Sequence, residues 1–574
     1  MLVARSSQTN RVSSAEAATQ AGQQDDSPIS SQFSTSTMST GDDDDSEAES
    51  DSDWHMSAAE DLCDDDDDDS ASTAGSVLFD ITDDSVPSPV KQRKYFVFES
   101  SLRQLFLLCF VCLSPCRVLV RQLLGSFVSV EQRCSHGHVY FWDSQPCHGS
   151  MPLGNLLLSA CIFFSGVSPV RILNSLRFAN IPVMNIRTYN RIQSSYLVMA
   201  VKKVWQTTQA DLLQSKSGKL CNVAGDGRCC SPGHTAKFCS YTVMDIDDSK
   251  ILDVQLIQVN EVNSSYAMEL EGLKRCLTFL LQYLNITSIT TDRHCSVQKY
   301  LRETFPQFIH YFDIWHIAKS VRKKIIEVSK RRDCSILHDW AQSVSNHLYW
   351  CAASSSGNGD LIVAKWTSIL RHICDIHTGH GLLFDNCAHG LLEPRLWLHA
   401  GSKAHKELEI IVTNKLLCRD IKKLAHSGQT SALESFHKIV IFFAPKSVHY
   451  FYAAMEARIL IAALHFNENS QRPQAVTRND QLQWSVSFPK ARSGQAVVKP
   501  VTVPATFHYV DKLITATVEL RDAFPTYKSA KQQSRMLSAA HPPLIASLVN
   551  RPDKDNVIQS HKSRFNKAAR EAEM

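Results

Sequence analysis

The stretch from Cys221 to Val262 constrains this chain more than any other. A short apolar run ends on Asp226 and is followed at once by Gly227, and two further β-like runs occupy Lys237 to Met244 and Ile251 to Val259. Between the last two lies Asp245-Ile246-Asp247-Asp248-Ser249, a set of turn formers that predicts a hairpin with its acids in a solvated turn. The stretch is therefore expected to be an antiparallel meander with a carboxylate closing its first strand. Carboxylate oxygens so placed can hold a divalent metal against a phosphate. Asp-Gly by itself is more often a turn. The reading gains force only if partner acids appear downstream at the ends of other elements.

They do appear. A helix is predicted from Ser264, with Leu273, Leu277, Leu280, Leu281 and Leu284 on one face. The strand ITSITTDRH then ends on Asp292. A helix over Ser296 to Thr304 leads to a third edge, FIHYFDIWH, that reaches Asp313 and His316. The next helix, IAKSVRKKIIEVSKRR, is strongly basic on its polar side. Residues 333–430 read as helices joined by Gly-, Asn- and His-rich loops and interrupt the β/α alternation. Within this block Cys374, His377, Cys387 and His389 could bind zinc, but core or loop roles are expected for them. The block ends at ALESFH, where Glu434 lies near the start of a helix. Residues 467–574 are polar and basic and are expected to form an irregular extension.

The 574 residues suffice for about three or four domains. A net charge of +2 conceals a division. The first 90 residues carry 22 Asp or Glu and 2 Lys or Arg, and the rest of the chain carries 58 basic and 36 acidic residues. Residues 1–92 are too polar to offset the entropy of ordering and are expected to be a disordered acidic tail. An acidic tail before a basic body suits a polyanion binder. The 18 cysteines are unevenly spaced and many sit in apolar runs, so reduced thiols in a soluble intracellular protein are expected rather than a secreted disulfide framework. The longest apolar runs, Leu105–Leu113 and Leu156–Phe164, are too short to span a bilayer, so no membrane association is expected.

Over residues 93–150, Cys109 and Cys112 form a C-x-x-C pair. A β-like run follows, and then Cys134 and His138 in CSHGH. This is a zinc-ribbon layout, with Cys116, His136, Cys147 and His148 as rival ligands. Over 151–215 the pattern turns helical. Arg187, Asn190 and Arg191 stand at the start of the later helix, as in a helix-turn-helix that reads the major groove. A plain helical linker is the bland alternative.

Asp226, Asp292 and Glu434 stand 66 and 142 residues apart at element ends. In their order, GDGR, TDRH, FDIWH and ALESFH resemble the catalytic blocks of Mutator-like DDE transposases over roughly residues 221–465. The resemblance implies an α/β fold: an RNase H-like mixed sheet with a helical insertion before the last catalytic helix, preceded by zinc-ribbon-like and helical DNA-binding regions. The core would run over 218–332 and 431–466. The implied catalytic acids are Asp226, Asp292 and Glu434, binding Mg²⁺ or Mn²⁺. A bridging role is expected for Asp313 and His316, and phosphate contacts for Arg228, Arg293 and Lys319. DNA as substrate, a nuclear location and homo-oligomerisation are implied as well. The rival readings are a non-catalytic transposase-derived DNA-binding protein, an RNase H-like nuclease, and an interaction scaffold.

Overall fold

The structure is a computed structural model that describes residues 88–231, 236–390, 392, 394–424, 431–488, 496–538, 541–547 and 552–565. Most of the predicted acidic tail, residues 1–87, lies outside these described residues. The protein is mixed α/β. The ribbon region is a three-stranded antiparallel sheet, β1 (Cys116–Leu124), β2 (Phe127–Cys134) and β3 (Val139–Asp143), in that order. Its first hairpin is clamped to the helix that follows it, α1 (Leu153–Phe164). Asn155 accepts from the Ser126 backbone N–H at 3.0 Å and donates to the Leu124 carbonyl at 2.8 Å.

Three more helices precede the central sheet: α2 (Pro169–Phe178), α3 (Ile186–Ile192) and α4 (Val198–Lys216). A five-residue π-helical segment, Gln193–Leu197, joins α3 to α4. The expected meander is present as β4 (Leu220–Cys229), β5 (Phe238–Asp245) and β6 (Lys250–Gln258). Then come α5 (Ala267–Leu280), β7 (Asn285–Thr291), α6 (Cys295–Thr304), β8 (Ile309–Phe312) and α7 (Ile314–Ser329). The five strands lie in the order β8-β7-β4-β5-β6. β5 is antiparallel to both of its neighbours, whereas β4, β7 and β8 are parallel.

Both faces of this sheet are covered, as expected where parallel strands meet β/α crossovers. On one face α5 lays Leu273, Cys276, Leu277 and Leu280 against Val223, Val243 and Ile257. Gly272 lets it come close, since a Cβ there would meet the Tyr241 Cβ at 2.3 Å. On the other face lie α13 (Ser431–Phe443) and α14 (Tyr452–Asn469), the chain's return after the insertion. The insertion has its own core. Trp340, Leu348, Trp366 and Leu408 pack with Phe312, Ile317 and Val321 from β8 and α7. Its helices are α8 (Leu337–Ala353), α9 (Gly359–Thr367), α10 (Ile369–His372), α11 (Lys403–Val412) and α12 (Lys415–Ile421). It returns beside the sheet edge, where the Phe312 N–H donates to the Lys423 carbonyl at 2.7 Å.

Three expectations are revised. The helices of 151–215 do not form a unit of their own, because Phe163, Tyr189, Tyr196 and Trp205 share one core with Ala224, Met244, Phe436 and Ile459. Residues 467–574 are not merely irregular. They contain α15 (His508–Ala523) and α16 (Tyr527–Leu537), which add Tyr509, Leu513 and Ala530 to that same core. The turn after β5 is not fully solvated. Asp245 is buried, accepts the N–H groups of Asp247 and Asp248, and pairs with buried Lys216 at 3.0 Å. Lys216 also pairs with Asp248. Among the described residues, no helix is long and apolar enough to cross a membrane.

Candidate functional site

The parallel pairing of β4 with β7 stops at Ala224 opposite Thr290. Beyond it β4 continues, paired only with β5, so Asp226 sits within the strand and opposite Thr242 rather than closing it. The two strands cease to pair here, which leaves a cleft between the middle of β4 and the carboxyl end of β7. In open α/β sheets such clefts are where ligands bind. The Asp226 side chain is 18% exposed, and its Oδ1 accepts the Gly227 N–H at 2.8 Å.

Four other elements deliver groups to this cleft. Asp292 directly follows β7 and accepts the His294 N–H at 2.9 Å, which fixes the turn into α6. Asp313 follows β8 and caps α7 through the Trp315 N–H at 3.2 Å. One turn along α7, His316 lies 3.8 Å from the second Asp313 oxygen and is 36% exposed. Glu434 and His437 are three residues apart on α13 and therefore share a face. His437 Nδ1 stands 3.6 Å from Asp226 Oδ2. One ligand atom from each of Asp226, His316 and Glu434 lies within 4.8 Å of the others. His316 was expected to form a structural bridge with Asp313 rather than a catalytic pair; one of its nitrogens lies in this group. Asp292 is not in that tightest set, but it is near enough to bear on the ionisation of Asp226.

Burial first, and then the neighbouring charges of Glu434, Asp292 and Asp313, hold the Asp226 carboxyl well above the usual carboxylate range. One acid here was missed in the sequence. Glu269 lies in the first turn of α5, and burial followed by Asp292 and Asp226 pushes it up to about 9. Gly227 makes room for it, since a Cβ at that position would meet the Glu269 Cγ at 2.6 Å. No local pattern marks Glu269, because it reads as an ordinary acid stabilising a helix N-terminus. Burial also keeps His437 neutral, with Arg228 and His316 adding to the effect. Several buried polar atoms around the cleft have no hydrogen-bond partner, among them Asp313 Oδ2, Arg228 Nη2, His437 Nε2 and both nitrogens of His294. Such a concentration of unsatisfied groups is unusual in a settled core. It suits a site that receives ions, water or substrate.

The residues expected to touch DNA fall in different settings. Arg187, Asn190 and Arg191 are exposed on α3, with the Arg191 guanidinium 4.0 Å from the centre of the Tyr527 ring. Arg228 is buried in β4, two residues past Asp226. Arg293 reaches Asp420 at 3.4 Å, linking the end of β7 to the insertion. Lys319 lies over Trp315 at 4.5 Å on α7 and is exposed, as are Arg322, Lys323 and Lys324.

The ribbon's four expected ligands come together. Cys109, Cys112, Cys134 and His138 each offer an atom within 4.8 Å of the rest, close enough to hold a metal ion. Cys112 and Cys134 sulfurs are 3.8 Å apart, and His138 Nδ1 is 3.4 Å from Cys134 and 3.8 Å from Cys109. The Val111 N–H points at Cys109 Sγ from 3.4 Å. Hydrogen bonds from Ser114, backbone first and then hydroxyl, pull the Cys112 thiol down to about 5, so it is a thiolate at neutral pH. Burial pushes Cys134 the other way. Of the rivals, His136 stands 3.7 Å from Cys112, while His148 pairs instead with Asp522 at 2.6 Å. A third group, His372, His377, Cys387 and His389, stands equally close within the insertion. It includes His372 where the sequence suggested Cys374. Compared with family models the chain matches none, and the comparison with curated proteins gives no match either.

Proposed function

We propose that this protein is a DNA transposase, or a protein descended from one, whose RNase H-like core cuts and joins phosphodiester bonds. The observation that carries the reading is the meeting of Asp226, His316 and Glu434. They come from three elements spread over more than two hundred residues, and their ligand atoms lie within 4.8 Å of one another. Strand order supports it as well. In chain order the sheet runs third-second-first-fourth-fifth, with only the second strand reversed. That is the arrangement in which acids on the first and fourth strands become neighbours.

Asp226, Asp292 and Glu434 would hold Mg²⁺ or Mn²⁺, which would activate a water or a 3′-hydroxyl and stabilise the leaving oxygen of a phosphodiester. The residues present fit such ions: the donors are mainly hard carboxylate oxygens, and their mutual repulsion is relieved by a divalent cation. Asp313 fixes the start of α7 and so sets where His316 stands at the cleft mouth. His437, neutral and 3.6 Å from Asp226, would orient that carboxylate by closing the short gap to it. The exposed basic row of α7, including Lys319, runs from the cleft and would grip the DNA backbone. Arg187, Asn190 and Arg191, exposed on α3, would contact DNA as well.

Zinc is the ion we assign to the ribbon. With Zn–S of about 2.3 Å and Zn–N of about 2.0–2.1 Å, a tetrahedral site puts two sulfurs about 3.8 Å apart and sulfur to nitrogen about 3.6 Å apart. The Cys112–Cys134 distance of 3.8 Å and the Cys134–His138 distance of 3.4 Å are close to those edges. DNA as substrate implies a nuclear location, and joining two element ends implies self-association.

The test is nicking and strand transfer by the full chain on a candidate inverted-repeat duplex, with Mg²⁺ or Mn²⁺ added. Metal-dependent cleavage that is lost in Asp226→Asn, Asp292→Asn and Glu434→Gln is expected. Cleavage that survives Asp226→Asn would remove the metal assignment. Salt-sensitive, sequence-selective binding with no cleavage would identify a non-catalytic descendant.

A further inference from the structure

The insertion holds a long stretch that regular structure does not explain. Between Ile373 and Ala400 no described residue is in a helix or strand. Ordered loops of this length are uncommon and need something to hold them. Apolar burial supplies little of it: Leu382, Leu383, Leu392 and Leu396 are all exposed, and among the described loop residues only Ile373 and Leu398 are buried, with Cys374 and Trp397 partly buried beside them at the two ends. The Leu398 N–H donates to the Ile373 carbonyl and closes the base of the loop. What lies inside is His372, His377, Cys387 and His389, with one donor atom of each within 4.8 Å of every other.

Their separations match those of donors around a shared ion. The Cys387 sulfur is 3.5 Å from His372 Nδ1, and His389 Nε2 is 3.3 Å from that same nitrogen. Using the bond lengths given above, tetrahedral zinc places sulfur about 3.6 Å from nitrogen, and two nitrogens about 3.3–3.4 Å apart. The three imidazole rings stand 4.8–5.0 Å apart between centres and cross at 70°, 79° and 90°. Rings converging on one point adopt steep mutual angles; rings packed for apolar contact need not.

The outer partners are those of metal-bound histidines. His389 Nδ1 lies 2.8 Å from the Gly390 carbonyl, so this nitrogen carries the proton and Nε2 is bare. His377 Nε2 lies 2.9 Å from the Asp375 carboxylate, which leaves Nδ1 bare; it is buried and has no hydrogen-bond partner. His380 Nε2 stands 3.2 Å from the Cys387 sulfur, where an N–H would stabilise a thiolate. Trp397 packs on both His372 and His377 and shields the cluster.

We propose that His372, His377, Cys387 and His389 bind a structural zinc ion that staples the Ile373–Ala400 loop to the insertion. Three nitrogens and one sulfur are borderline-soft donors, unsuited to Mg²⁺ or Ca²⁺. Four protein ligands fill a tetrahedral shell, so the site is closed and holds shape rather than doing chemistry. It is separate from the ribbon and from the acids, and it stands whether or not the protein cuts DNA.

The test is the metal content of the full chain, purified without chelator, by mass spectrometry. Two zinc ions per chain are expected. Cys387→Ser should leave one, Cys112→Ser should leave one, and the double variant none. Should Cys387→Ser fail to fold, the native chain still decides the matter. Alkylation mapped by peptide mass should find Cys387 protected, with its labelling rising at least about tenfold when a chelator removes zinc. One zinc per chain that Cys387→Ser leaves untouched, copper in place of zinc, or a Cys387 labelled equally with and without chelator would each overturn the proposal.

Discussion

At the scale of single residues, the cleft is a place where charge is stored. Asp226 is crowded by Glu434, Asp292 and Asp313 in a partly closed site, so its ionised form is disfavoured until a cation arrives. Asp226→Asn is therefore expected to stabilise the protein by about 1–2 kcal/mol in buffer without divalent ions, while lowering any cleavage by at least about a hundredfold. Chemical denaturation and the nicking assay together check this; a destabilised variant would contradict the electrostatic account. Glu269 gives a pH prediction. Its carboxyl titrates at about 9 when folded and near 4.5 when unfolded, so folding takes up a proton between those values. Stability from this group is therefore full below about pH 4.5 and is lost as pH rises toward 9, by up to about 1.4 kcal/mol per pH unit. In Glu269→Gln that slope should vanish. Urea titrations between pH 6 and 8 without added divalent ions measure it, and an unchanged slope would exclude Glu269 as the source.

At the scale of elements, close approach and ion pairing decide the packing. Replacing glycine by alanine inside a helix ordinarily stabilises by about 0.8–1 kcal/mol. At position 272 the added methyl would meet the Tyr241 Cβ at 2.3 Å and the Ile257 Cδ1 at 2.8 Å. Gly272→Ala should therefore destabilise by about 1–3 kcal/mol by lifting α5 from the sheet. A thermal melt that rises instead would show that the helix shifts freely. Lys216, at the end of α4, is buried with Asp245. Lys216→Met leaves Asp245 with no buried cation and should cost about 3 kcal/mol or more, measured by denaturant unfolding. A second change, Asp245→Asn, should recover part of that loss, because the uncompensated charge is then gone.

At the scale of the molecule, the helices on either side of the central sheet belong to its core. Arg521 in α15 is buried and donates to the Tyr196 hydroxyl at 2.6 Å and to the His148 carbonyl at 2.7 Å. One helix near the C-terminus thus joins the ribbon's end to the helices before the sheet. Removing residues 505–574 strips Tyr509, Leu513 and Ala516 from the core and is expected to abolish cooperative unfolding; circular dichroism melts and limited proteolysis would show it. A truncated chain that melts as sharply as the full one would make the C-terminal helices an appendage.

Much of the central sheet was legible in the sequence because its signals are local. Runs of apolar and β-branched residues punctuated by Asp, Gly and Ser place β5 and β6 within a residue of their observed limits, and a C-x-x-C pair followed by Cys134 and His138 marks the four residues that come together, although Cys116, His136, Cys147 and His148 stay open as rivals until the fold chooses among them. Asp292 and Glu434 stand out for the same reason, since each lies where an element ends or begins; Asp226 reads in the same way, but its strand runs on past it to Cys229. Other features carry no local mark. Tyr509, Leu513 and Ala516 repeat at helical spacing, but in a polar, basic stretch that periodicity is faint until α4 supplies the partner face. Glu269 and His372 are ordinary helix residues until a second acid or a loop comes up beside them. Backbone conformation follows from neighbours along the chain, and the sequence by itself determined that much here. Burial, ionisation and ligand convergence follow from neighbours in space, and only the folding of remote segments onto one another decided those.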